Sequence, residues 1–470
     1  MPNEPLILWF RRDLRLDDNP MLQAALETGR PLLPVFILDP ETEALGAAPL
    51  WRMGLAVGAF AERLAGVGSG LILRRGPALP VLERLIAETG AAGVIWGRQY
   101  DGPSQARDTA VKAALKERGL IAQSHAGHLL HEPWAIKTLQ GQPFKVFTPF
   151  WKALRNLPLP PALAAPKTLP APTTWPVSDD LASWNLGAPM RRGAAVVLPH
   201  QTVGEIKALQ RLADFLDDKV SAYPAQRDLL AQNGTSRLSE NLTYGEIGPR
   251  RIWHAAALRR DQGDAGAESF LRQLAWRDFA WHLFYHSPQM DRQNWRGEWD
   301  AFPWAGDSAL AESWRQGRTG IPLVDAGLRE MFVTGTMHNR ARMVVASYLT
   351  KHLLTHWKVG LDWFADCLTD WDAANNAMGW QWVAGSGPDA APYFRIFNPE
   401  GQADRFDPDR AYIHRWVAEL SREPGAEARA YFDAVPKSWN LSPDQPYPKP
   451  VVGLAEGREK ALAAYGARNA

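Results

Sequence analysis

The chain has 470 residues, 46% hydrophobic and 22% charged, with 52 basic against 51 acidic side chains and a formal net charge of +1. That length exceeds the roughly 250–300 residues at which a single core stops growing, so two domains are expected, and the composition excludes a disordered or fibrous chain. The single cysteine, Cys367, excludes an internal disulfide and a cysteine-built metal cage, and a near-zero net charge means that any polyanionic partner must be met by a local basic patch.

The opening stretch MPNEPLILWFRRDLRL has an apolar run too short, and too soon followed by charge, for a signal peptide or membrane span. No later run approaches the roughly 20 apolar residues that a spanning helix needs. A cytoplasmic protein is expected. LILWF, LLPVFIL, GLILRR and GVIWG read as short buried strands, and LWRMGLAVGAFAERLAGV and QARDTAVKAALKERGL carry a helical period between them. This alternation predicts an α/β domain with a doubly wound, mostly parallel sheet over residues 1–130. The turn after the first strand, RRDLRLDDNPML, contains no G-x-G-x-x-G, which argues against a nicotinamide dehydrogenase.

Residues 131–200 read as an interdomain connector, dense in Pro and Ala at LPLPPALAAPKTLPAPTTWP. Over 201–470 the helical period dominates, in TVGEIKALQRLADFLDDKV, SFLRQLAWRDFAWHLFYH, PLVDAGLREMFV and LDWFADCLTDW. An all-α second domain is expected.

Four clusters in that second domain could carry chemistry. In NGTSRLSENLTYGEIG, small and hydroxyl side chains surround Arg237, a combination suited to phosphate, although a capped helix start would use the same residues. In LRQLAWRDF, Gln273, Trp276 and Arg277 fall at i, i+3 and i+4 and share a helix face that mixes an amide, an indole and a cation. In MHNRARM, Asn339, Arg342 and Met343 repeat that spacing. In DWDAANNAMGWQW, a helix would point Trp380 and Trp382 about 200° apart, with Asp372, Asn376 and Trp380 along one stripe. The pairs His282 and His286, and His352 and His356, have a spacing that zinc ligands could use, but no H-E-x-x-H accompanies them, and packed or surface histidines are the expected reading with no metal.

WFRRDLRLDDNP, TSRLS, the W-R-D-F block, MHNRARM, DWDAANNAMGWQW and GPDAAPYFRIFNP stand in an order that resembles the photolyase/cryptochrome family, over essentially the whole chain and with its dimer-repairing bacterial branch the near match. The resemblance implies an α/β antenna domain, a long connector and an all-α C-terminal domain holding FAD, reduced in the active form. It implies a monomer that binds UV-damaged DNA and, driven by light, reverses cyclobutane pyrimidine dimers. Tyr223 and Thr235, Ser236, Arg237, Leu238 and Ser239 are similar to flavin contacts, as are Arg277, the pair Arg342 and Asp370, and Asp372 and Asn376. Trp380, Trp357 and Trp304 resemble the family's electron relay. Gln273, Trp276, Asn339, Met343 and Trp382 resemble the residues around the everted lesion, and Arg227, Trp276, Asn339 and Gln402 those that touch DNA. There are two departures. Gln273 stands where many dimer enzymes have glutamate, which leaves a (6-4) photoproduct enzyme open, as it does a cryptochrome-like photoreceptor. Pro103 and Ser104 replace an Asn-Glu pair that contacts a folate antenna in some relatives, which leaves the second chromophore open between a deazaflavin, another flavin, a folate held differently, and none.

Overall fold

The computed structural model describes residues 4–389 and 394–468, so the Ala390–Tyr393 part of the last family-like block lies outside the described residues. Five strands, β1 (Leu6–Phe10), β2 (Leu32–Leu38), β3 (Ile72–Arg75), β4 (Gly93–Gly97) and β5 (Ile121–His125), form one parallel sheet in the order β3-β2-β1-β4-β5. Leu6 pairs with Leu32 on one side and Gly93 on the other. Every residue of β1 and β2 is buried, as strands covered on both faces must be, and this is why they read as unbroken apolar runs. Leu6, Leu8 and Phe10 pack with helices α1 (Pro20–Glu27) and α2 (Ala47–Ala65). Ile7 and Trp9 point the other way, toward α3 (Ala78–Thr89) and α4 (Gly102–Glu117). Strand β5 and helices α1 and α3 were not anticipated. IAQSH buries only Ala122, because an edge strand need not be apolar on both faces.

The connector is shorter than 131–200. Leu129, Leu130 and Ile136, with Phe147, Phe150, Trp151 and Leu154 of α5 (Phe147–Leu154), already belong to the core of the helical domain. The extended stretch after α5 straps back along the sheet domain, with Leu32 N–H donating to Pro170 O at 2.7 Å and Leu169 N–H to Val67 O at 3.0 Å.

The helical domain is built around α6 (Ala265–His286), α7 (Pro322–Thr334), α8 (Asn339–Ser347), α9 (Trp357–Cys367), α10 (Ala373–Ala384) and α11 (Leu454–Arg468), with a π-helical turn over Tyr348–His352 after α8. Helix α6 is buried on most of its circumference, which explains its weak amphipathic pattern. No helix among the described residues is long and apolar enough to cross a membrane.

Charge pairs join the two domains. Arg52 of α2 donates to both carboxylate oxygens of Glu246, at 3.0 and 2.7 Å, with both side chains fully buried. Asp17 pairs with Arg251 at 2.7 Å, and Arg15 reaches Gly245 O at 3.0 Å. Arg52→Met would leave the Glu246 carboxylate buried without its cation and is expected to cost about 3–5 kcal/mol, read from the urea midpoint. Replacing both partners by apolar residues should recover most of that, because the desolvation cost leaves with the pair.

Candidate functional site

A cavity of about 390 Å³ lies inside the helical domain. Tyr223 and the loop Thr235, Ser236, Arg237, Leu238 and Ser239 form part of its wall, α6 contributes Gln273 and Arg277, α8 contributes Asn339 and Arg342, and the segment before α10 contributes Asp370 and Asp372. Residues chosen from four separate motifs therefore share one enclosure. Arg237 sits in the left-handed region at φ +52°, a conformation that costs a non-glycine residue about 1–3 kcal/mol and clusters at functional sites. Arg211 donates to its carbonyl at 2.6 Å and braces the turn. The hydroxyls of Thr235, Ser236 and Ser239 have no hydrogen-bond partner among the described residues, so they are free to meet a bound group.

The carboxylates of the wall are held from behind. Asp370 receives one guanidinium nitrogen of Arg342 at 2.9 and 2.8 Å, and Arg342 Nε donates to Met337 O at 2.8 Å. Asp372 caps α10, accepting from Asn375 N–H at 2.9 Å, and its other oxygen accepts from Trp281 Nε1 at 3.0 Å. Glu330 accepts from His338 N–H at 3.0 Å and from the Tyr412 hydroxyl at 2.5 Å, and burial pushes its carboxyl above the ordinary range. Glu240 accepts from the Thr369 hydroxyl and is likewise raised by burial. Burial holds His338 down at about 4; its Nδ1 accepts from Arg340 N–H at 3.1 Å, and its Nε2 is buried with no partner among the described residues. Glu240, Glu330, His338, Tyr412 and Trp281 were missed, because a buried acid or histidine inside a helical pattern reads like a solvated one.

These donors fit a flavin dinucleotide. Free hydroxyls and Arg237 can meet phosphate and ribityl oxygens, the unpartnered His338 Nε2 can meet a further acceptor, and the volume falls within the about 300–1,000 Å³ of ordinary ligand cavities.

Asn376 does not join this wall. Asp372 is the cap, with non-helical backbone, so a stripe counted from it is out of phase. Asn375 lines the cavity, whereas Asn376 donates to Leu361 O at 3.0 Å and faces a second cavity of about 610 Å³ between the domains. That second cavity is lined by Arg11, Arg12, Arg107, Pro103 and Ser104 from the sheet domain and by Trp281 and Trp371 from the helical one.

The tryptophans divide by surroundings. Trp276 is half-buried and stacks on Phe147 with centroids 3.7 Å apart and planes 10° apart. Trp382 is half-buried and donates through Nε1 to Asp389 O at 3.1 Å, and Met343 Sδ lies 3.9 Å from Asn339 Nδ2. Trp276, Trp382 and Met343 flank the cavity residues without forming the wall itself. Trp380, on the opposite side of α10 from Trp382, is 2% exposed and lies on Gly360, where a Cβ would come within 2.0 Å of the indole. Its ring neighbours are Phe364 at 4.9 Å and Trp314 at 6.0 Å. The His356 ring bridges Trp357 and Trp304, 5.4 Å from each.

Arg227 stacks on Tyr223 at 5.5 Å, and Gln402 lies in a groove with Arg340, Arg395 and Arg405. The histidine pairs hold structure: His282 bonds Pro133 O at 2.9 Å and Phe144 N–H at 3.0 Å, His286 reaches Pro133 O, His352 stacks on Tyr348, and His356 caps α9. No group of His, Cys, Asp and Glu among the described residues is arranged to hold a metal.

Two family models match the chain: DNA photolyase over residues 6–172 and the FAD binding domain of DNA photolyase over residues 270–467. The deoxyribodipyrimidine photo-lyase of Agrobacterium fabrum is 43% identical, covering 98% of both chains. Cryptochrome-2 of Arabidopsis thaliana is 35% identical over 96% of this chain and 77% of its own. A bacterial class III photolyase from Agrobacterium tumefaciens superposes with a TM-score of 0.92 at 42% identity, over 100% of this chain and 98% of that one.

His282, His338, His352 and His356 are each held near 4 by burial, below the ordinary histidine value. Between about pH 6.5 and 4 each of these four sites binds more protons in the unfolded chain than in the folded one, so its contribution to stability is present above that window and lost as pH falls through it, while carboxyls raised by burial, such as Asp278 at about 7, act in the opposite direction. Each histidine contributes a slope of up to about 1.4 kcal/mol per pH unit there. Measured from about pH 7 to 5, the urea midpoint of the parent is expected to fall relative to that of His282→Asn, which lacks this histidine's share of the slope.

Proposed function

The chain belongs to the photolyase/cryptochrome family, and from that premise we propose that it reverses cyclobutane pyrimidine dimers in UV-damaged DNA, using light and reduced FAD held in the helical-domain cavity. One observation carries the reading: Gln273 and Asn339 line the same enclosure as the Thr235–Ser239 loop and the Arg342–Asp370 pair. A lesion that touches α6 and the start of α8 there is inside the cofactor's own cavity.

Held by Arg237, the Thr235–Ser239 hydroxyls and the Arg342–Asp370 pair, a reduced flavin would supply reversible one-electron chemistry. The chain's part is to bring the lesion in and hold it. A dimer within a duplex cannot reach an enclosed cofactor, so it is everted, and its weakened stacking lowers that cost. Phe147 covers one face of Trp276 and leaves the other for a base, with Trp382 as the facing wall; such stacking is worth about 1–3 kcal/mol per base. Gln273 and Asn339 offer amide donors to base carbonyls, and Met343 packs beside them. Gln273 stays neutral and donates without acting as an acid. Arg227 and the groove of Gln402, Arg340, Arg395 and Arg405 hold backbone phosphates, which makes binding salt-dependent.

Trp380, Trp357 and Trp304 would carry electrons from the surface toward the cavity, with His356 packed between the last two. The interdomain cavity seats a second, light-gathering chromophore. Trp371 forms part of its wall and lies in the chain between Asp370 and Asp372 of the first cavity. Arg12, without an ion-pair partner among the described residues, suits an anionic tail, while Arg11 and Arg107 are held by Asp108 and Asp39.

Gln273 favours a second reading, repair of (6-4) photoproducts, and the cryptochrome likeness a third, light signalling. Reduced protein illuminated with oligonucleotides bearing each lesion separates them. The dimer is expected to be restored in blue light and not in darkness, with the (6-4) lesion unchanged; restoration of neither by flavin-loaded protein would leave the signalling reading.

Trp380→Phe is expected to abolish light-driven reduction of the oxidised cofactor, followed by its absorbance, while enzyme reduced chemically still repairs. Unchanged photoreduction would mean that electrons enter elsewhere, with Trp314 the nearest other indole.

A further inference from the structure

A third cavity, of about 520 Å³, lies where the start of α2 meets the ends of α7 and α9. It shares no lining residue with the flavin cavity or with the interdomain cavity of Arg11 and Trp371. Met331 and Phe332 of α7, Trp363 of α9, Met190, Val197 and Val435 give it apolar walls. Phe332 and Trp363 meet edge to face with centroids 6.1 Å apart, and the two thioethers are able to shift to suit a ring beside them. Cys367 belongs to the same wall, and burial pushes its thiol well above the ordinary range, so it stays neutral.

The charged residues of the lining are not balanced. Asp366, the one acid among the described lining residues, accepts Ala47 N–H at 2.9 Å. Arg192 is turned to backbone carbonyls, donating to Val435 O at 2.8 Å and to Phe432 O at 2.7 Å. Arg191 and Lys437 are exposed, and among the described residues their side chains have neither an ion pair nor a hydrogen bond. Arg191 also stands at φ +52° and ψ −130°, a turn conformation that glycine enters freely and other residues only with strain. The backbone alone would favour glycine there.

We propose that this cavity binds an aromatic organic anion, with its rings against Phe332, Trp363 and the methionines and its carboxylate or sulfonate met by Arg191 and Lys437. Apolar and aromatic walls with a few polar groups are the make-up of small-molecule sites, and the volume falls within their usual range of about 300–1,000 Å³. The two unpaired cations select an anion over a neutral ring or a cation. A guanidinium offers parallel N–H groups that match the two oxygens of a carboxylate or sulfonate.

The test is a calorimetric titration of the flavin-loaded protein with anilinonaphthalene sulfonate, an aromatic body carrying one negative charge. One site per chain is expected. Lys437→Gln and Arg191→Gly should each weaken binding about tenfold, as loss of a charge-assisted hydrogen bond does. Arg191→Gly should do so with its thermal midpoint unchanged or raised, because glycine relieves the turn. Phenylnaphthylamine, which lacks the sulfonate, should bind the parent and both charge variants alike. Cys367→Phe, which fills the cavity from its wall, should abolish binding of the sulfonate with flavin content unchanged. No binding by the parent, binding that all three variants leave intact, or binding that Arg12→Gln in the interdomain cavity abolishes instead, would overturn the proposal.

Discussion

A charged hollow inside a helical core is costly unless every charge in its wall is compensated, and that constraint organises the molecule. Arg237, Arg277 and Arg342 face Glu240, Glu330, Asp370 and Asp372 around one cavity. Each acid is anchored by a donor: Asp370 by Arg342, Asp372 by Trp281 and the first turn of α10, Glu330 by Tyr412 and a backbone N–H, and Glu240 by Thr369. Breaking a buried charge pair commonly costs about 3–5 kcal/mol, so the helices that supply these donors cannot shift independently. The hollow is as rigid as the core around it.

The same compensation ties the sheet domain to the cavity. Arg52 of α2 neutralises Glu246, and Asn241 Nδ2 also reaches Glu246, one residue from the Glu240 that lines the cavity. Arg277 reaches His128 O at 2.7 Å, so one cavity cation is spent on the loop that follows β5. On the other flank Trp281, which holds Asp372, also lines the interdomain cavity. The two cavities thus share a wall whose hydrogen bonds belong to both. A chromophore seated between the domains would be positioned by groups that also position the flavin.

Strands β1 to β4 could be read from the chain because a parallel sheet covered on both faces demands unbroken apolar runs. Strand β5 could not, since IAQSH buries only Ala122 whereas β3, at the other edge, still offers the buried pair Ile72 and Leu73, and α5 was lost inside a Pro-rich connector although Phe147, Phe150 and Trp151 are apolar enough to signal a helix. Within the site, the i, i+3, i+4 spacing grouped Gln273, Trp276 and Arg277, and Asn339, Arg342 and Met343; of these Gln273, Arg277, Asn339 and Arg342 line the cavity, and Trp276 and Met343 do not. Pairing Arg342 with Asp370 came only with the family resemblance, since nothing local links residues that far apart in the chain. The stripe Asp372, Asn376 and Trp380 divides among surroundings: Asp372, the cap, lines the helical-domain cavity, Asn376 the interdomain one, and Trp380 packs on Gly360. Contacts that cross elements, such as Phe147 on Trp276 or Trp281 on Asp372, have no one-dimensional signature at all.

The division between Trp380 and Trp382 follows from helix geometry together with what each neighbour can accept. Trp382 finds a carbonyl for its N–H at the half-buried edge of α10. Trp380 turns inward onto Gly360, and its Nε1, like that of Trp304, is buried without an acceptor among the described residues. Leaving a buried donor unpaired costs about 1–3 kcal/mol, and the indoles of Trp9, Trp96, Trp299, Trp363, Trp371 and Trp416, outside the proposed relay, are buried in the same way. On the proposed relay that cost has a use. An indole that gives up an electron becomes a much stronger N–H acid, and proton loss would trap the hole where it formed. Trp357 does have a partner, the Asn294 Oδ1 at 2.8 Å, but a neutral amide oxygen is too weak a base to take the proton. None of the three indole N–H groups is hydrogen-bonded to a base among the described residues, and on the proposed relay a hole not trapped by proton loss would stay free to move outward.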